Sequence, residues 1–229
     1  MSNDIRSKTA TVIVLHGWGA NASVMLDMAP WIHQAGFHAL FIDARCHGAS
    51  SDTDYMSLPR FAEDLESAQR WVLQRTDTDE SALFAIGHSV GAGAVLLSVS
   101  RIPWAGAISL SAFAHPTDMM WRFIREHHIP GKRLSQWVLK HVQTVIGISF
   151  DEIAPENTIR RASCPVMLVH GASDTDVPQS EFQRISRNAA PGTRTLTIPG
   201  AGHDLRPAMP VIAPSVIDFI QQITHQQSN

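Results

Sequence analysis

Ser89 stands in Gly87-His88-Ser89-Val90-Gly91, a G-x-S-x-G pentapeptide that follows the apolar run ALFAI and opens onto a helical pattern. A strand that enters a helix through so short a turn forces the serine into a strained backbone conformation and lifts its Oγ clear of the sheet edge. Small residues on either side let neighbouring backbones pass. A serine hydroxyl is a weak nucleophile without a base, and the base needs a third group to fix its tautomer. Both are found downstream: His203 in PGAGHD after the last apolar run, and Asp174 in HGASDTDVP after PVMLV. Asp176, two residues on, and Asp118, after the fourth apolar run, are alternative acids; the turn leading through Pro178 favours Asp174.

Acyl transfer also needs two backbone donors converging on one oxygen. The N–H of Val90, behind the serine at a helix N-terminus, is one candidate. The other is the N–H of Trp18, in His16-Gly17-Trp18-Gly19 after the first apolar run, where two glycines permit a tight inward turn.

These groups need strands that end together. Apolar runs near residues 11–16, 38–43, 82–86, 105–111, 165–170 and 194–198 alternate with helical patterns, which predicts a mostly parallel α/β sheet of about six strands covered on both faces. Met25, Met28 and Ile32, then Phe61, Leu65, Ala68 and Val72, recur at helical spacing, as do Val95, Leu96 and Val99 and a C-terminal set from Ile212 to Ile223. Within a single domain of residues 1–229, the interval 114–163 is read as an inserted helical cap with more apolar surface than its own helices can bury. One face of it is expected to close over Ser89, so that Met120, Trp121 and Trp137 join Trp18 in lining a substrate pocket.

Eighteen Lys and Arg against 21 Asp and Glu give a net charge of −3, with the basic residues scattered, which argues against nucleic-acid binding. No apolar stretch approaches the roughly 20 residues of a membrane span. The first residues lack the apolar core of a secretory leader and the two cysteines, Cys46 and Cys164, lie far apart, so a reduced, cytoplasmic protein is expected. His127-His128 has no partner at metal-ligand spacing and is taken as a solvated helix end; no metal or cofactor is implied.

The chain resembles the α/β-hydrolase superfamily in its small serine esterase and lipase-like branch, over nearly its whole length. HGWG at 16–19, DARCHGAS at 43–50, GHSVG at 87–91, HGASDTDVP at 170–178 and GAGHD at 200–204 carry the resemblance. The second of these is similar to the family's D-x-R-G-x-G-x-S turn, with Cys46 as structural variation rather than a thiol active site. The family opens with two further strands for which the residues before TVIVL leave no room, hence the trimmed sheet. The resemblance and the residues imply one activity: hydrolysis of a small-molecule carboxylic ester or thioester with a small to medium apolar acyl group. In it Ser89 attacks, His203 shuttles the proton, Asp174 orients His203, and Trp18 and Val90 hold the oxyanion. An acyltransferase or amidase would use the same triad, and a ligand-binding protein on a hydrolase fold is the alternative of another class.

Overall fold

Six strands, β1 (Thr9–Leu15), β2 (His38–Ile42), β3 (Thr78–His88), β4 (Gly106–Leu110), β5 (Val166–Gly171) and β6 (Arg194–Ile198), form one sheet in the order β2-β1-β3-β4-β5-β6. Every neighbouring pair is parallel. The structure, a computed structural model, describes residues 8–126 and 131–227, so His127-His128 lies outside the described residues. Each expected strand is present. β3 starts earlier than the apolar signal near residue 82, because Thr9 pairs with Thr78 ahead of a register shift and a ladder needs backbone groups, not apolar side chains. Glu80 and Ser81 are exposed there, which hides the extension from a search for apolar runs.

The four central strands, β1, β3, β4 and β5, are buried on both faces over most of their length, and the edge strands β2 and β6 only in part. Ile13, Leu15, Leu83 and Ala85 point into one core cluster, and Val12, Val14, Phe84 and Ile86 into the other, as the period of two requires. Met25, Met28 and Ile32 share a buried face but not a helix. Ala22–Met28 is a 3-10 segment capped by Asn21, and α1 (Ala29–Gln34) begins behind it with Pro30 in its first turn, where the missing N–H costs nothing. α2 (Leu58–Val72), capped by Ser57, buries Phe61, Leu65 and Val72, while α3 (Val90–Val99) is buried all round.

The interval between β4 and β5 is helical, as expected: α4 (Pro116–Glu126), α5 (Lys132–Ile146) and two single turns, α6 (Phe150–Ile153) and α7 (Pro155–Thr158). Its apolar surplus is divided between two directions. Leu139, Val142 and Ile146 of α5 pack on the core, whereas Leu134, Trp137 and Val145 are exposed. Charge fixes α4 in place against α8 (Gln179–Asn188). Arg122 pairs with the buried Glu181, which also accepts the Ala114 N–H at 2.8 Å. Arg184 of α8 binds Asp118 at 2.5 Å and both oxygens of Glu156 at 2.7 Å. α9 (Met209–Gln227) covers the opposite face through Ile212, Val216, Phe219, Ile220 and Ile223. Among the described residues no helix is long and apolar enough to cross a membrane.

Histidines occupy the carboxyl ends of three strands: His16 after β1, His88 ending β3 and His170 in β5. His16 and His170 are fully buried and His88 partly so. Burial lowers the pKa of all three, that of His88 to about 4. An imidazole held neutral in the folded state while the unfolded chain takes up protons favours unfolding below its ordinary pKa. The stability it contributes is therefore complete above about 6.5 and is lost as pH falls toward the folded value. For His88 alone the loss reaches about 3 kcal/mol across that window. Urea unfolding midpoints are expected to fall between about pH 6.5 and pH 4.5, and less steeply in His88→Gln; a midpoint constant over that range would contradict the buried neutral state.

Candidate functional site

The backbone of Ser89 has φ 55° and ψ −116°, the strained turn that a strand-to-helix elbow requires. Its N–H donates to the Leu110 carbonyl at 2.8 Å and its carbonyl accepts the Gly93 N–H at 3.1 Å, so the elbow is tied to β4 and to α3. The flanking glycines are sites of close approach. A Cβ on Gly87 would collide with the Gly91 carbonyl, and a Cβ on Gly91 with the carbonyl of His16. Ser89 itself is 9% exposed.

The structure brings three predicted residues together around this turn. His203 Nε2 lies 2.9 Å from Ser89 Oγ, and His203 Nδ1 lies 2.8 Å from Asp174 Oδ2. An ionised carboxylate only accepts, so Nδ1 carries the proton and Nε2 is left free to accept from the serine hydroxyl. The other oxygen of Asp174 accepts the N–H groups of Asp176 at 3.0 Å and Val177 at 2.8 Å. Burial alone would raise the Asp174 pKa; the hydrogen bonds from His203 and the Val177 N–H outweigh it and hold the carboxyl below its usual range. Neither rival acid faces His203 in this way. Asp118 is paired with Arg184, and Asp176, itself exposed, gives Asp174 a backbone N–H.

The loop after β1 runs beside the serine: a Cβ on Gly17 would sit 3.1 Å from that of Ser89. His47 holds this loop. Its Nε2 accepts the Gly19 N–H at 3.0 Å while its Nδ1–H donates to the Arg45 carbonyl at 2.9 Å. The Trp18 indole stacks on Phe61 with ring centroids 6.1 Å apart and meets His47 edge-on at 5.8 Å. Asp43, first residue of the D-x-R segment, accepts the N–H groups of Ala22 and Ala49, which pull its pKa down. Cys46 adopts φ 60° in that turn, and its sulfur accepts the Thr53 N–H at 3.1 Å. With Ser89 as N-cap, the first N–H groups of α3, Val90's among them, have no partner inside the helix.

A cavity of about 270 Å³ opens beside Ser89 and His203. Its apolar wall is Trp18, Val24, Met25, Leu205 and Met209, with Asp204 and Arg206 among the polar residues that line it. The expectation for the cap is corrected here: Met120, Trp121 and Trp137 do not line this cavity. Met120 packs against the core, Trp121 is half-buried on α4, and Trp137 is 60% exposed and stacked on His141 at 5.1 Å. The physical reason is the set of ion pairs from α8 and the inward apolar face of α5, which hold the cap against the α2–α3 side of the sheet, whereas the cavity opens toward the 3-10 segment and α9. Val24, Met25, Leu205 and Met209 went unrecognised in the sequence. The available signal was adjacency, since they follow HGWG and GAGHD within a few residues. No group of three or more metal-binding side chains is assembled among the described residues.

Comparison with known proteins bears on the fold and the family. The family model for serine aminopeptidase, S33, matches residues 6–155, well over half of the chain. The uncharacterized protein Rv2307c of Mycobacterium tuberculosis is 27% identical over 194 residues, covering 84% of this chain and 62% of that protein. The chain thus spans less than two thirds of the length of this relative. Among solved structures, the Pyrococcus furiosus esterase Pf2001 superposes with a TM-score of 0.69 at 18% identity, over 96% of this chain and 84% of that one. Est1E from Butyrivibrio proteoclasticus, solved with ferulic acid bound, gives a TM-score of 0.72 at 19% identity, over 97% and 94%. With its six-stranded parallel sheet and its match to the family model, the chain belongs to the serine aminopeptidase S33 family of the α/β-hydrolase superfamily.

Proposed function

We propose that the protein is a serine hydrolase of carboxylic esters or thioesters, working as one α/β-hydrolase domain with a helical cap at 114–163. The observation that carries this reading is the hydrogen-bonded chain Ser89–His203–Asp174, with steps of 2.9 and 2.8 Å, at a serine whose φ is 55°. His203 Nε2 takes the Ser89 proton as Oγ attacks the acyl carbon, and Asp174 stabilises the imidazolium that forms. The N–H groups of Trp18 and Val90 receive the tetrahedral oxyanion. Collapse expels the alcohol or thiol, protonated by His203, and leaves an acyl-Ser89. Water, deprotonated by the same imidazole, then releases the acid. Membership of a hydrolase family supports this reading, as does the likeness in fold to Pf2001, an esterase.

The acyl group is assigned to the cavity walled by Val24, Met25, Leu205 and Met209, which is small and more apolar than polar. Each buried methylene gains about 0.8 kcal/mol, close to fourfold in kcat/KM, until the cavity is full.

A fluorophosphonate is expected to label Ser89, and Ser89→Ala to lose turnover by roughly 10^6-fold with its unfolding midpoint unchanged. Labelling elsewhere, or retained turnover, would remove Ser89 as nucleophile. Asp174→Asn should lower kcat about 10^3- to 10^4-fold by releasing the imidazole tautomer, while Asp118→Asn, which weakens a half-buried ion pair away from His203, changes kcat less than threefold. Across an ester panel graded by acyl length, kcat/KM should climb and then fall. Val24→Phe is expected to move the optimum to a shorter chain, and Trp121→Ala and Trp137→Ala to leave it in place. The opposite pattern would put the acyl group under the cap.

A further inference from the structure

His88 has no role in the chemistry proposed above, yet it sits between the two loops that serve Ser89. Its Nε2 lies 2.8 Å from the backbone carbonyl of His203, and the two imidazole rings are 4.9 Å apart at a tilt of 48°. A carbonyl only accepts, so Nε2 carries the hydrogen and the tautomer is set. On its other side Nδ1 would lie 3.5 Å from a Cβ placed on Gly17, so the ring also faces the loop that carries Trp18.

The loop that presents His203 packs its Ala201 and Gly202 carbonyls against Gly171 and pairs Asp204 with Arg206 beyond it, but few hydrogen bonds hold the backbone on the approach to His203 itself. The Ser173 N–H binds the Ala201 carbonyl at 2.8 Å and the Ala201 N–H reaches Ile198 at 3.3 Å. Between Ala201 and His203 comes Gly202, which contributes backbone freedom and no side chain. The imidazole of His203 is fixed by Ser89 and Asp174, and Ser89 Oγ is the contact that must change during reaction. A base displaced by a fraction of an ångström loses much of its advantage, so the backbone behind it needs its own anchor.

We infer that His88 is a positioning residue: its Nε2–H tethers the carbonyl of His203 and holds the base in register with Ser89 through the catalytic cycle. Burial, opposed by the His203 carbonyl bond and by the charges of Asp204 and Asp174, draws the His88 pKa down to about 4. At neutral pH it is therefore a neutral donor, and it adds no positive charge beside the imidazolium that forms on His203. The inference rests on the proposed roles of Ser89 and His203.

Two variants separate tether from bulk. His88→Leu keeps volume and removes the donor; His88→Gln keeps an N–H of similar reach. His88→Leu is expected to lower kcat 10- to 100-fold with KM within twofold, and to speed amide exchange in residues 200–204 at least tenfold. His88→Gln should recover both to within about threefold of wild type. His88→Leu with kcat within twofold of wild type overturns the inference, as does His88→Gln as slow as His88→Leu with loop exchange unchanged in both. Should His88→Leu not fold, histidine 15N resonances of the wild-type protein near pH 7 decide the matter: His88 must be the Nε2–H tautomer, and an Nδ1–H tautomer overturns the inference. A wild-type protein inert to every ester and to the fluorophosphonate, but with loop exchange that still depends on His88, would overturn the esterase reading and leave the tether standing.

Discussion

The backbone of Ser89, held at φ 55°, is the constraint to which the surrounding structure is fitted. A non-glycine residue in that region costs on the order of 1–3 kcal/mol and persists only where its neighbours over-determine it. Here β3 is gripped on both sides by β1 and β4, the Ser89 N–H is taken by Leu110, and α3 behind the turn is buried all round. Gly87 and Gly91 follow from the same constraint, because the turn brings the backbones of His16 and Gly91 too close for a side chain at either position.

Around the elbow the electrostatic design is a set of neutral imidazoles grouped about the carboxylate of Asp174. His16 Nε2 accepts the Ala44 N–H, His170 Nε2–H donates to the Val177 carbonyl, and His88 donates to His203, so each has a backbone partner that fixes its proton. Charging any of them would require desolvating a cation. Asp174 is the buried acid among them and keeps its charge because it collects N–H donors on both oxygens. Farther out, Asp204 is drawn to about 2 by its pairing with the exposed Arg206, so these two charges beside the cavity match each other.

The cap and the cavity answer to different forces. Arg184 and Arg122 bind the cap to α8 and its neighbours, and Leu139, Val142 and Ile146 seat α5 on the core. The cavity forms on the other side, where the 3-10 segment after Asn21 and the turn into α9 leave a gap between Met25 and Met209. Neither arrangement dictates the other, which is why apolar surplus in the cap did not translate into pocket wall.

The sequence by itself determined the class of fold, the six strands and the turn at Ser89, because each of these is local: an apolar run, a period, a pentapeptide between strand and helix. It also pointed to His203 and Asp174, since parallel strands deliver the residues after their ends to one edge of the sheet, whatever lies between. Tertiary structure decided the rest. Asp174 faces the imidazole from the turn after β5, while Asp118 is paired with Arg184, 66 residues away in the chain. The start of β3 at Thr78 depends on pairing with Thr9, and the single run of Met25, Met28 and Ile32 is broken by Pro30 into two helical pieces. The wall of the cavity and the contact of His88 with His203, 115 residues apart, arise only when loops from opposite ends of the chain pack against each other. Periodicity reports which face of an element is apolar, but what that face meets is set by how separate elements share the core, and that is settled only in three dimensions.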